Sequence, residues 1–339
     1  MNTLDWSSLS FGYIKTDYNV RAHYKDGKWG ELEESTSEKL DVHIAATGLH
    51  YGQEAFEGMK AFMGKDGKVR LFRWEENARR LINSAKGILM AEVPEELFKE
   101  AIFRVVELNK RFVPPYGSGA SLYIRPLLFG NGAMVGVNPS REFTFMVFVT
   151  PVGPYFKGGV KPVDMLISRI YDRAAPMGTG TYKVGGNYAA SLRAIVEARE
   201  KGFANVIFLD ACEKKYIDEC GPANFFGIKG NSYITPKSDS ILPSITNKSL
   251  IQIAESIGMT TERRAIPIEE LSEFDEAGAC GTAAVISPIG RIVDPDSGKV
   301  YQYCKDGCPG PRQMALYKKL TGIQNGDEPD IFGWVTVID

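Results

Sequence analysis

The stretch Pro151-Val-Gly-Pro-Tyr-Phe-Lys-Gly-Gly159 constrains this chain more than any other, because it breaks every hydrophobic periodicity near the middle. Prolines and glycines at this density stop a helix or a central strand from running through. The stretch reads as a connection between two domains. The chain's 339 residues agree, at roughly 100–200 residues per domain. The expected division is a first domain over 1–152, a connection over 153–163 and a second domain over 164–339.

Before the break, Asp26-Gly27 and Asp66-Gly67 sit between alternating apolar runs, as hairpin turns require. The spacing predicts amphipathic helices over 73–91 and 94–112, with apolar residues recurring every three or four positions. Strands are predicted over 120–128 and 142–150. After the break, a strand over 163–169 leads to the glycine-rich segment Gly178-Thr-Gly-Thr-Tyr-Lys-Val-Gly-Gly186. A helix capped by Asn187 and ending near Gly202 follows. Runs over 205–210, 215–219, 224–228 and 232–235 read as a strand meander. Ser244 is placed to cap a further helix, with Leu250, Ile253, Ala254 and Ile257 on its apolar side and Gly258 ending it. Strands mixed with helices on this scale indicate an α+β fold.

Composition excludes several roles. A net charge of −2 gives no electrostatic reason to expect nucleic acid or an anionic membrane as partner. The first ten residues carry neither a basic nor an apolar signal segment, and no apolar run approaches the roughly 18 residues of a membrane span. The odd count of five cysteines in a chain this large fits reduced thiols in the cytoplasm. Cys304 and Cys308 offer two zinc ligands where a closed site needs four, so no metal is expected.

The glycine-rich segment admits several chemistries. A Walker A loop fails, because Val184 follows Lys183 where serine or threonine is required. A dinucleotide fingerprint fails as well, since Lys183 stands where its third glycine should and no acidic partner for a ribose follows. Two readings stay open on spacing alone: a solvated lysine in a surface loop, or a lysine that forms an imine. The second needs an amine that loses its proton near neutral pH, through burial or a cationic neighbour.

From Phe11 to about Gln324 the chain resembles the branched-chain aminotransferases, fold-type IV enzymes that use pyridoxal 5′-phosphate (PLP). The resemblance is carried by LHYGQEAFEGMKAF (49–62), RLFRWEENARRL (70–81), LYIRP (122–126), PVGPYF (151–156), GTGTYKVGGNYAAS (178–191), DECGPANFF (218–226), ILPSITNKS (241–249) and GTAA (281–284). It implies a two-domain α+β fold, with a smaller open α/β N-terminal domain and a larger pseudo-barrel C-terminal domain. It also implies amino transfer from L-leucine, L-isoleucine and L-valine to 2-oxoglutarate. Related enzymes of this fold act instead as D-amino-acid transaminases or aminodeoxychorismate lyases.

By this resemblance Lys183 is the imine lysine and the proton carrier at the substrate Cα. Glu219 faces the pyridine nitrogen, Tyr188 bonds the phenolic oxygen, and Arg80, Leu242, Ile245, Thr246 and Thr282 complete the cofactor site. The last group has a physical basis too, since residues 241–247 open a helix whose N-terminus attracts anions. Phe56, Tyr123 and Tyr155 correspond to the aromatic lining of the substrate pocket. Arg125 corresponds to the group facing the glutamate γ-carboxylate, and Tyr123, Thr282 and Ala283 to the α-carboxylate site. Tyr51, Val135 and Val137 correspond to residues supplied across a homodimer interface. The match departs in three places. Ala284 and Ser287 stand where vertebrate members carry redox cysteines, Pro222 replaces a commoner threonine, and Lys15 occupies an aromatic position.

Overall fold

The computed structural model describes residues 4–6, 8–156, 158–304 and 306–338. Lys157, in the expected connection, and Lys305, between the two cysteines, lie outside them. Two compact units emerge. The first comprises Met1–Tyr155, Tyr182–Gly185 and Gly322–Asp339, and the second Phe156–Thr181 and Gly186–Thr321. The first unit also takes in the chain's end.

The first unit is built on strands β1 (Asn19–Lys25), β2 (Lys28–Trp29), β3 (Glu33–Ser35), β4 (Glu54–Phe56), β5 (Met59–Met63), β6 (Val69–Phe72), β7 (Ser121–Gly130) and β8 (Phe143–Val152). With them stand helices α1 (Thr47–Tyr51), α2 (Trp74–Gly87) and α3 (Glu95–Leu108). The terminal strand Val335–Ile338 pairs with β6, and the sheet then runs β6-β5-β7-β8-β1-β2, with β3 beside β1 and β4 beside β7. Every pairing is antiparallel. The period of two carries the packing: Leu122, Ile124 and Leu128 of β7 and Phe145, Val147 and Val149 of β8 are fully buried. Leu81 and Ala85 of α2 and Phe98, Ile102 and Val105 of α3 join the same core.

Both predicted hairpins form. Asp26 and Gly27 each take positive φ, the geometry that matches strand twist. Helix α2 ends earlier than its apolar spacing predicts, because Leu89 turns left-handed and the Met90 N–H returns to Ala85 O at 2.8 Å. The second helix stops at Leu108, followed by a short 3-10 turn over Lys110–Phe112. The buried Asn109 side chain causes the stop. It accepts the Asp17 and Tyr18 N–H groups and donates to Val105 O, so it competes with the helix for partners.

The second unit contains β9 (Val163–Ser168), β10 (Asn205–Leu209), β11 (Ile217–Cys220), β12 (Ala223–Lys229), β13 (Ser232–Pro236), β14 (Thr260–Arg264), β15 (Glu276–Gly281), β16 (Val285–Val293) and β17 (Val300–Gln302). Its helices are α4 (Gly185–Glu200), α5 (Ile245–Ser256) and α6 (Pro311–Asn325). The order β11-β10-β9-β16-β15-β12 closes on itself, because β12 also pairs with β11. That closure makes a six-membered barrel whose apolar residues, among them Ile207, Ile217, Phe225, Ala279 and Ile289, form one core.

Two expectations need correcting here. Asn187 does not cap α4, which begins at Gly185; it is buried in the first turn and reaches back to the Thr179 carbonyl and hydroxyl. Ile257 does not join the apolar side of α5, because it sits at the C-cap and is exposed. Ser244 caps α5 as predicted, its hydroxyl accepting the Asn247 N–H at 3.2 Å.

The closing hairpin turns through Gly221 and Pro222. Gly221 has φ +55, and a Cβ there would lie 2.2 Å from Asn205 Oδ1. Gly221→Ala should therefore destabilise the protein by about 1–3 kcal/mol, read as a lower denaturant midpoint at unchanged slope. An unchanged midpoint would contradict this account of the turn.

Candidate active site

In the first unit the glycine-rich segment is held against the sheet. The Phe56 N–H donates to Lys183 O at 3.0 Å, Val184 bridges Ala55, and Ser84 Oγ of α2 accepts the Lys183 N–H at 2.9 Å. Glycine is needed on both flanks. A Cβ at Gly185 would lie 1.9 Å from Glu54 Oε1, and one at Gly87 would strike the Tyr182 ring at 2.4 Å. These contacts fix the backbone from which the Lys183 side chain extends. Its Nζ lies 4.7 Å from the Phe56 ring centroid. Burial brings its pKa down from 10.5 to about 8, and the nearby Arg80 charge adds to the effect.

Arg80 is oriented by an acid. Its Nε and Nη2 each reach a Glu57 oxygen at 2.7 Å, a bidentate pair. Glu57 is fully buried and also accepts from Asn77 Nδ2 at 2.8 Å. Tyr123 and Arg125 stand on β7, two residues apart and so on one face. Arg125 Nη2 donates to Tyr123 Oη at 3.1 Å, and its guanidinium lies 4.9 Å from the Phe56 centroid. Arg125 Nε is buried with no hydrogen-bond partner among the described residues. Gly58 is required here, since a Cβ would lie 2.2 Å from the Tyr123 hydroxyl. Half-buried Glu54 has its pKa raised by burial, with Arg125 opposing.

This unit thus gathers Lys183, Arg80, Phe56, Tyr123 and Arg125. It holds Tyr51, Val135 and Val137 in a separate patch, where the Tyr51 hydroxyl donates to the Val135 carbonyl and Ala46 bridges Ala133. Val135 and Val137 are more than four-fifths exposed, and Ile44 and Leu49 extend the apolar surface. Tyr155 is exposed at the unit's end. Lys15 faces Glu38 at 3.0 Å on the surface.

In the second unit Glu219 of β11 is 2% exposed. Its Oε1 accepts the Leu242 N–H at 2.5 Å and its Oε2 faces Arg173 Nε at 3.1 Å. Asn224, opposite Glu219 in the closing pair, donates to Leu242 O at 3.1 Å. Asn247 links Asn224, Thr235 and Tyr233 in a buried polar network. The network fixes the start of α5, where Ile245 and Thr246 supply the first two N–H groups. Ser244 caps only the third, which leaves the first two aimed as an anion site requires. Thr282 and Ala283 form the half-buried turn between β15 and β16, and Tyr188 is half-buried on α4.

Sequence reasoning missed Glu57 and Arg173, which bond other charged side chains, and Ser84, which bonds the Lys183 backbone. Glu57 lies inside a motif already singled out (49–62). Arg173 carries no spacing signal at all.

The model of the family described as amino-transferase class IV matches residues 54–292. The chain belongs to this family. A branched-chain-amino-acid aminotransferase of Haemophilus influenzae is 51% identical over the full length of both chains. A solved Escherichia coli branched-chain amino acid aminotransferase superposes with TM-score 0.79 at 30% identity, covering 95% of this chain and 99% of its own. A T.th. branched-chain amino acid aminotransferase complexed with N-(5′-phosphopyridoxyl)-L-glutamate gives 0.77 at 27% identity, with the same coverage.

The lowered Lys183 pKa is directly measurable. At pH 7.5 an amine of pKa about 8 is roughly one-quarter unprotonated, against about one in a thousand for an ordinary lysine. Amine labelling of the cofactor-free protein, followed by peptide mass spectrometry, should show Lys183 modification rising with a midpoint near pH 8. A midpoint above 10 would contradict the described environment.

Proposed function

We propose that this chain transfers the amino group of L-leucine, L-isoleucine or L-valine to 2-oxoglutarate, using PLP. One observation carries the reading: a lysine with a depressed pKa lies beside an aromatic wall and an arginine whose Nε lacks a partner among the described residues. The donor set suits PLP. Arg80 and the first N–H groups of α5 match a phosphate, and a buried carboxylate matches a ring nitrogen. PLP, when bound, supplies a ring that accepts electrons from the substrate Cα.

The chain's own residues do the rest. Lys183 takes the proton from the substrate Cα and returns it, a task that suits an amine with a pKa of about 8 near neutral pH. Glu219 accepts the ring nitrogen's hydrogen bond, and Leu242 holds that carboxylate in place. Tyr188 serves the phenolic oxygen. Arg80, Ile245, Thr246 and Thr282 hold the phosphate. Phe56, Tyr123 and Tyr155 give an aliphatic side chain an apolar lining. Arg125 receives the second carboxylate when glutamate or 2-oxoglutarate binds, and Tyr123, Thr282 and Ala283 receive the α-carboxylate. A homodimer would cover the patch at Tyr51, Val135 and Val137 and give that surface to the partner's site.

The purified protein should be yellow, and its visible spectrum should change when L-valine is added. With 2-oxoglutarate present, glutamate should form from L-leucine and not from D-leucine. Lys183→Ala should lower turnover by about 10³-fold or more, within the range for loss of a general base that is also the attachment point. Glutamate formed from D-leucine alone would refute this reading.

A further inference from the structure

We propose that Arg173 is the residue that positions Glu219, holding its carboxylate in the one orientation that serves the cofactor's ring nitrogen. The proposal rests on the role given to Glu219 above. Arg173 follows β9 and is 8% exposed. Its Nη1 donates to Ser240 O at 2.8 Å, and both Nη atoms lie 3.4 Å from Gly180 O. These carbonyls fix the plane of the guanidinium, so Nε can point only one way, toward Glu219 Oε2 at 3.1 Å. The Leu242 N–H holds the other oxygen. A carboxylate gripped on both oxygens cannot rotate about its terminal bond.

Three further observations fit this assignment. A carboxylate 2% exposed needs its charge paired, and Arg173 is the cation that does so. The neighbouring buried acid on the same strand, Asp218, keeps an oxygen with no partner among the described residues. Arg173 makes its ion pair with Glu219 and acts on Asp218 through its charge alone. The glycine at 180 permits the arrangement, because a Cβ there would lie 2.3 Å from Ser240 O and push the two carbonyls apart. Arg173 thus ties β11 to the glycine-rich segment and to the turn before α5. A lysine has a single nitrogen and cannot make the fork.

A double-mutant cycle on the full-length, PLP-loaded enzyme tests this, with Arg173→Gln, Glu219→Gln and the double variant. The readouts are kcat and KM for L-leucine, PLP affinity, and the pH dependence of the bound cofactor's visible absorbance. Arg173→Gln should lower kcat by about 10–100-fold with KM nearly unchanged, the size expected for one charge-assisted contact. It should also move the absorbance titration in the same direction as Glu219→Gln. In the Glu219→Gln background it should cost less than about threefold more, because both changes remove one interaction. Fully additive losses, or an unmoved absorbance titration, would overturn the proposal alone. Glu219→Gln with unchanged kcat and PLP affinity would overturn the reading of Glu219 and this proposal with it. Should Arg173→Gln fail to fold, Arg173→Lys takes its place in the same cycle, with the same outcomes decisive.

Discussion

An amine becomes a nucleophile at neutral pH only where its protonated form is made costly, and the first unit is arranged around that cost. The Lys183 backbone is pinned by Phe56 and Ser84, so its side chain cannot swing freely into water. The Phe56 face lies under the amine, and Arg80 stands near enough to disfavour a second positive charge. Arg80 itself stays in place through a bidentate pair with fully buried Glu57. Removing one partner of such a pair leaves a charge uncompensated, which costs about 3–5 kcal/mol.

The second unit solves a different problem, which is to keep a carboxylate buried and aimed. Barrel closure between β11 and β12 sets Glu219 opposite Asn224. The polar network through Asn224 and Asn247 then links that closure to the start of α5. One polar scaffold therefore fixes both the acid and the start of α5. Such networks rigidify a site only when their members are satisfied, and here Asn247 has three side-chain partners.

Much of the fold was legible because it follows from local rules. The Asp-Gly hairpins, the Ser244 cap and the period-two strands β7 and β8 each have a short-range cause. The early end of α2, the stop at Asn109 and the true start of α4 were not legible, since apolar spacing encodes neither the left-handed turn at Leu89 nor the bonds that the Asn109 and Asn187 side chains make to backbone groups. The same holds at the site. Lys183 stood out through its glycines, and the residues facing a ligand came through resemblance. Ser84, Glu57 and Arg173 serve other residues, and only the folded geometry reveals them. The pairing of the chain's end escaped for a related reason: nothing in the sequence near Val335 says that it pairs with β6.

A second lysine sharpens the central claim. Lys60, on β5, is half-buried and has its pKa lowered by burial to about 8, as Lys183 does. A depressed pKa alone does not choose between them, so the assignment of Lys183 stands on its pinned backbone and its neighbours. The direct test is to reduce the PLP-loaded protein with borohydride, digest it and locate the phosphopyridoxyl group by mass spectrometry. The account predicts the group on the peptide containing Lys183. Finding it on Lys60 would contradict the account.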